Sequence, residues 1–350
     1  MPCHRPPNPV SLKVSPENPQ FALSVNPRRL LRRFGYAMAG LVSLFLLPFC
    51  AGALWQAIAS HRDLRQNPPP GRLVDVGGYR MHINSAGAGS PIVILESGLS
   101  DSSLSWYKVQ PEVARFVRVV SYDRAGLGWS DPSPQPRNSR VFAEELHTLL
   151  HNAGVPAPFV LVGHSMGGYD VRMFASLYRS EVAGMVLVDA SHPDLYARAP
   201  GMRQSFARWR NYLVGRQRQT RFGIPRLRGW CDEGVPQPAL RAVQCRSSWY
   251  EETLAELDGF PASGDQVRPT GSLGDMPLAV LTEDPDQVFP RDMLPAFLEC
   301  QDDLARLSTR ATHVVAKGSG HQIQKERPDL VIAAIRQVVE QVKAANPGQS

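Results

Sequence analysis

Cysteine is scarce: five residues in 350, at positions 3, 50, 231, 245 and 300, with no C-x-x-C pair among them. That removes the spacing expected of a thiolate zinc site or a dithiol redox motif, so no metal is expected. In an oxidising compartment Cys231 and Cys245 stand close enough in sequence to bridge, with Cys300 as a competing partner and free buried thiols as the alternative. Basic charge is thin outside the amino terminus. The formal net charge is +6, but residues 1–33 carry six Lys or Arg against one Glu, which leaves the remainder near neutral. No basic helix or stacking platform marks a nucleic-acid partner.

Charge of either sign is missing altogether from Phe34 to Ser60, which also lacks histidine. As a helix this run would reach about 40 Å, more than the ~30 Å hydrocarbon core of a bilayer. It can span a membrane, with Pro48 as a kink and Trp55, Gln56 and Ser60 near the interface. Arg28, Arg29, Arg32 and Arg33 outweigh Arg62 and Arg65, so the positive-inside rule places the amino terminus in the cytoplasm and the rest on the periplasmic or extracellular side. A signal peptide cleaved after Ala51-Gly-Ala53 or Ala57-Ile-Ala59, or a buried hydrophobic helix, is the alternative to this signal anchor. A lipoprotein site at Cys50 is disfavoured by Phe49 before it. Residues 1–26 are rich in proline without an apolar period and should be disordered. The expected organisation is a disordered cytoplasmic tail over 1–33, an anchor over 34–60, a linker over 61–71 ending in Asn67-Pro-Pro-Pro-Gly71, and a globular domain over 72–345.

The domain is organised around Phe159-Val-Leu-Val-Gly-His-Ser-Met-Gly-Gly168, an apolar strand running into a sharp turn and a helix. A serine held on so tight a turn adopts strained backbone geometry, and the residues two before and two after it must lack side chains. Gly163 and Gly167 meet that condition around Ser165. The turn lifts the Ser165 hydroxyl above the strand end, and the N–H of Met166 can face a developing oxyanion. Further strands are expected at 73–76 and 79–84 as a hairpin around Gly77-Gly78, with His82 on the surface, and at 91–96, 117–122, 184–189, 277–282 and 312–316. Helices are expected at 139–151 and from Pro328 onward. His147 and His151 stand four apart without the glutamate of a zinc-protease helix, and read as a solvated face. Almost ninety residues separate the strands at 184–189 and 277–282, too many for a plain crossover, so about 191–276 should form a cap. Its first part interleaves arginines with aromatics, as a mobile lid or as a surface for an acidic substrate or anionic lipid.

From Arg72 to Ala345 the chain resembles the α/β-hydrolase superfamily, in the branch of cap-bearing serine hydrolases. The motifs that carry the resemblance are Gly163-His-Ser-Met-Gly167, Asp123-Arg-Ala-Gly-Leu-Gly-Trp-Ser130, Ser97-Gly98-Leu99 after a buried strand, and His321 in the glycine-rich loop after the last strand. It implies a mostly parallel twisted sheet with helices on both faces, an inserted helical cap and, here, an N-terminal transmembrane helix. His321 would be the base for Ser165, the N–H of Leu99 the second oxyanion donor, and Asp123 a structural residue beneath the nucleophile. The third triad member usually follows the strand after the cap. Aligning Pro290 on the family's proline selects Asp286; Glu283 then stands where glycine is expected, which leaves Asp284 open, with Asp189 and Asp194 after the preceding strand as further alternatives. The implied activity is cleavage of an ester or thioester through an acyl-enzyme, on a small acyl substrate, apolar or anionic, without metal or organic cofactor. An aminopeptidase or amidase of the same fold, or a non-catalytic membrane-tethered binding module, is the alternative.

Overall fold

The computed structural model describes Met1 and residues 26–231, 238–288 and 291–345. The chain divides into two units, Met1–Cys50 and Ala51–Ser350. Helix α1 (Pro27–Gln66) begins in the first, where its side chains are exposed from Pro27 to Cys50 and Pro48 lies inside the helix. Among the described residues it is the one helix long and apolar enough to cross a membrane. The helix overruns both expected boundaries: Arg28 to Arg33, assigned to a disordered tail, and His61 to Gln66, assigned to a linker, are helical. Neither stretch contains a breaker, and the helix stops only before Pro68-Pro69-Pro70, whose rings exclude the α conformation for the residue ahead of them. The expected disorder of the tail before residue 26 falls outside the described residues.

The second unit is a three-layer α/β domain. In chain order it contains β1 (Arg72–Asp75), β2 (Arg80–Ala86), β3 (Ile92–Glu96), α2 (Gln110–Val113), β4 (Val119–Tyr122), α3 (Ser139–Asn152), β5 (Phe159–His164), α4 (Gly167–Leu177) and β6 (Val182–Val188). The cap follows with α5 (Leu195–Arg198), α6 (Pro200–Thr220), α7 (Ile224–Leu227), α8 (Pro238–Gln244) and α9 (Ser247–Val267). The chain then completes the sheet with β7 (Leu278–Glu283), α10 (Leu294–Ala305), β8 (Ala311–Ala316), α11 (Ile323–Glu326) and α12 (Pro328–Ala345). The eight strands lie in the order β1-β2-β4-β3-β5-β6-β7-β8, antiparallel as far as the β2–β4 pair and parallel beyond it.

Every residue of β3, β4, β5 and β7 is buried, as a parallel sheet covered on both faces requires. Successive side chains serve opposite cores. Ile94, Leu161, Leu187 and Val280 pack with Phe142, Leu146 and Leu149 of α3; Val93, Val162, Val188 and Leu281 pack with Ile335, Val338 and Val342 of α12. The strand order reverses between β3 and β5, which opens a crevice at the carboxyl ends of those strands.

His82 is wholly buried, against the expectation of a surface residue. β2 lies between β1 and β4 and both its faces are covered; His82 Nδ1 meets Asp123 Oδ2 at 2.8 Å. Asp123 in turn accepts from the N–H groups of Ser103 at 2.7 Å and Trp129 at 3.0 Å, so it holds the turn after β4 in shape, the structural role expected of it. His147 stacks on Tyr178 and bonds Glu181 at 3.0 Å.

Within the second unit the end of α1 packs on the cap. Gln56, expected at a membrane interface, is buried: its Nε2 donates to the carbonyl of Cys245 at 2.8 Å and its Oε1 accepts from Arg226 Nε at 2.9 Å. Arg226 also pairs with Asp63, and a side chain at Gly52 would strike the carbonyl of Phe222. Cys231 and Cys245 are bridged, with Cα atoms 5.6 Å apart, while Cys300 is buried and free. Arg226→Gln should lower unfolding free energy by about 2 kcal/mol, the scale of a hydrogen bond to a charged group left unmade, read as a drop in denaturation midpoint.

Candidate active site

Ser165 sits on the turn between β5 and α4 with φ 52°, in the left-handed region. A Cβ at Gly163 would lie 2.5 Å from the carbonyl of Gly167, and one at Gly167 would lie 2.8 Å from both Glu96 Cγ and the carbonyl of Ser97. Both glycines are therefore required sterically, for the reason their spacing suggested. The turn is pinned by the Ser165 N–H on the carbonyl of Val188 at 3.1 Å and by the Ser191 N–H on the carbonyl of Ser165 at 2.9 Å.

His321, in the loop after β8, places Nδ1 2.6 Å from Asp189 Oδ2. Asp189 follows β6 directly, has φ 44° and is 3% exposed; its other oxygen accepts from the N–H of Glu283 at 2.7 Å. The acid expected at Asp286 is not brought to His321, and this corrects the assignment from the strand after the cap. Asp286 has its side chain 80% exposed, near Arg291 at 3.8 Å. Asp284 is turned to the Gly318 N–H at 2.8 Å and Lys317 at 3.2 Å, and Asp194 pairs with Arg198 and Arg268 in the cap. The reason is local: β7 ends at Glu283, and Asp284 ties the following turn back to the β8 loop, which carries Asp286 outward. Pro290, on which that alignment rested, lies outside the described residues. The signal in the sequence was the glutamate at position 283, where the resemblance expects glycine: it ends β7 and stands beside Asp189.

Asp189, Glu283 and His321 have ligand-type atoms within 4.8 Å of one another. Both oxygens of Asp189 are already committed, to an imidazole and to a backbone N–H, so the trio reads as a base with two acids behind it more readily than as a cation cage. His164 is buried and its Nε2 meets the carbonyl of His321 at 2.9 Å. Desolvation, then the neighbouring His321 charge, hold its pKa well below the ordinary imidazole value, so it is neutral and donates that bond.

The loop after β3 closes the other side of the site. A Cβ at Gly98 would stand 3.2 Å from Ser165 Cβ, so the backbone of Gly98-Leu99 lies against the nucleophile. Among the described residues no carbonyl or side chain takes the N–H of Leu99 or of Met166. Sequence reasoning missed Arg124, inside the Asp123–Ser130 motif, which is buried under this loop and donates to the carbonyls of Ser97 and Gly98.

Residues 91–328 match the family model described as alpha/beta hydrolase fold. The chain belongs to the alpha/beta hydrolase family. It is 26% identical over 321 residues to a protein of Hormonema carpetanum named probable transporter efuK, a match covering 78% of this chain and 43% of that one. It is 25% identical over 289 residues to an AB hydrolase superfamily protein of Gibberella zeae, covering 72% and 87%. The chain thus spans less than half of the first relative and most of the second. Among solved structures a thermophilic esterase from Thermogutta terrifontis superposes with a TM-score of 0.55 at 24% identity, covering 77% of this chain and 98% of that one, a likeness of fold.

In this hydrolase the crevice is roofed by the cap to give a cavity of about 630 Å³, within the range of small-molecule sites. Its floor is Ser165, His321, Asp189 and Gly98-Leu99; its walls are mainly Met202, Phe206, Trp209, Phe260, Met293 and Phe297. Burial, then the Asp189 charge, push the Glu283 carboxyl up to about 7, against the pull of His321. For His321 desolvation opposes the charge, but the hydrogen bond and charge of Asp189, with Glu283 and Asp101 beyond, win and hold its pKa above the ordinary value. The neutral, proton-accepting form is then lost as pH falls through that raised pKa. An NMR titration of the His321 ring should show a midpoint above 6.5 that falls in Asp189→Asn and is unmoved in Asp286→Asn.

Proposed function

We propose that this hydrolase is a serine esterase whose triad is Ser165, His321 and Asp189, acting on a neutral, apolar acyl ester or thioester. The observation that carries the reading is the 2.6 Å bond from His321 to Asp189 in a cavity that also contains Ser165. Nδ1–H donates to Asp189, which fixes the tautomer and leaves Nε2 free to take the Ser165 proton as Oγ attacks the carbonyl carbon. The tetrahedral oxyanion is met by the N–H groups of Leu99 and Met166. As the intermediate collapses, the imidazolium returns its proton to the leaving group; a water then attacks the acyl-enzyme, giving its proton to Nε2, and the acid departs as Ser165 recovers its own.

The lining favours the apolar side of the substrate expectation over the anionic one, since no Lys or Arg is among the described residues that line the cavity. The acidic groups that could hold a substrate amine are compromised: Asp101 faces Lys325 at 3.6 Å, and burial, then the Asp189 charge, push the Glu283 carboxyl up to about 7, away from its charged form. That favours an ester over an aminopeptidase substrate. A fluorophosphonate should label Ser165, and Ser165→Ala should abolish the labelling. A wild-type chain left unlabelled would instead support the binding-module alternative. On a chain-length series of p-nitrophenyl esters, Asp189→Asn should lower kcat by about 10⁴-fold, whereas Asp286→Asn should stay within twofold. The reverse order would return the acid to Asp286.

For localisation we propose that α1 is a signal anchor with its amino terminus in the cytoplasm, a tail before residue 34, a span that starts at Phe34 and ends, short of the expected residue 60, where Gly52 and Gln56 seat on the cap, and the catalytic domain on the other side. The support is the Arg28, Arg29, Arg32 and Arg33 cluster ahead of the apolar run. A reporter after Ser350 should be active outside the cytoplasm; one active only inside would reverse the orientation.

A further inference from the structure

Arg124 is 2% exposed and spends all five of its N–H groups at one place. Nε and Nη2 donate to the two oxygens of Glu256 at 2.6 and 3.0 Å. Nη1 donates to Glu96 Oε1 at 2.6 Å and to the carbonyl of Ser97 at 2.6 Å, and Nη2 also donates to the carbonyl of Gly98 at 2.7 Å. Glu256 belongs to α9 of the cap, and its Oε2 accepts in addition from the N–H of Ser100 at 2.9 Å. Trp249, one end of the same helix, donates its indole N–H to the carbonyl of Ser100 at 2.9 Å. Ser100 itself has φ 68°, a conformation a serine does not choose unaided. The loop Ser97–Ser100 is thus gripped from beneath by an arginine and from above by two cap side chains.

The peptide joining Gly98 to Leu99 is trans, so its carbonyl and its N–H point in opposite directions. Holding the Gly98 carbonyl down on the buried guanidinium turns the Leu99 N–H away from it, toward the side on which Ser165 lies against the loop. We propose that Arg124 and Glu256 are positioning residues that aim the Leu99 N–H, so that the second oxyanion donor is held in best aim while cap helix α9 is seated. This rests on the esterase reading of Ser165. The cap then does more than roof the cavity: when α9 lifts, Ser100 loses both of its partners, Arg124 loses Glu256, and the donor drifts out of aim. An ion network serving stability alone would alter the folded fraction and leave the active fraction's chemistry as it was.

The test uses the full chain. Glu256→Gln keeps the size of the side chain and an acceptor for Ser100, while Arg124 retains Glu96; Arg124→Lys keeps the charge but can no longer reach all its carbonyl and carboxylate partners. Expected are a fall in kcat of about 10-fold for Glu256→Gln and about 10²-fold for Arg124→Lys, the latter the scale of one lost oxyanion donor, with KM within twofold. The inhibition constant of a trifluoromethyl ketone, which forms an oxyanion on Ser165, should weaken by the same factors. Amide hydrogen exchange over Ser97–Asp101, which needs no turnover, should rise in both variants. Unchanged exchange in Glu256→Gln overturns the proposal whatever the activity, as does raised exchange with kcat and inhibitor affinity intact. A wild-type chain that the fluorophosphonate fails to label sinks the esterase reading instead, and the exchange measurement still decides whether the brace is there.

Discussion

Helix α4 approaches strands β3 and β5 more closely than any side chain allows, and the architecture of the site depends on that approach. With hydrogen alone at Gly163 and Gly167, the first turn of α4 sits on Glu96 and Ser97, and Ser165 is forced into a left-handed backbone between them. One contact therefore sets three things: the height of the hydroxyl above the sheet, the free N–H of Met166 at the head of the helix, and the nearness of the Gly98-Leu99 backbone. An added methyl at either glycine would cost a backbone displacement, and the loop after β3 would move with it. The strain at Ser165 persists because hydrogen bonds to Val188 and Ser191 on β6 and just beyond it over-determine the turn.

Elements whose pattern is local were legible in the sequence. The buried strands, the helix from Ser139, the cap between β6 and β7, and the serine turn all follow from apolar runs and steric rules that act within a few residues. What could not be read were pairings between distant segments. His82 alternates with apolar neighbours like a solvent-facing residue, yet β2 is an internal strand, and its polar side chain is satisfied by Asp123, 41 positions away. Gln56 reads as an interface residue because nothing near it in sequence announces that Cys245 and Arg226 will be its partners. Arg124 looked like one residue of a turn motif, while its meaning lies in Glu256, 132 positions on.

The acid shows the same limit at the site itself. Glu283 at the end of β7 is followed by Asp284 and Asp286, two more carboxylates stand after β6, and composition alone does not rank them. The ranking comes from where each strand stops: β6 ends one residue before Asp189, and that residue's φ of 44° swings the carboxylate under the His321 loop. Glu283 occupies the end of β7, where it caps Asp189 through its own N–H and adds a second, largely desolvated carboxyl to the same imidazole. The imidazole therefore has two carboxyls beside it, Asp189 in a direct bond and Glu283 within reach of both.

The seat of the cap on Gly52, Gln56 and Asp63 sets where the chain can be cut for work in solution. A chain begun at the proline run after Asn67 would remove the partners of Arg226 and Cys245 and uncover a guanidinium built for a dry pocket. A soluble version has to keep the last turns of α1, from about Ala51, even though they continue an apolar helix. The stretch that looks like the dispensable end of an anchor is a piece of the cap's foundation.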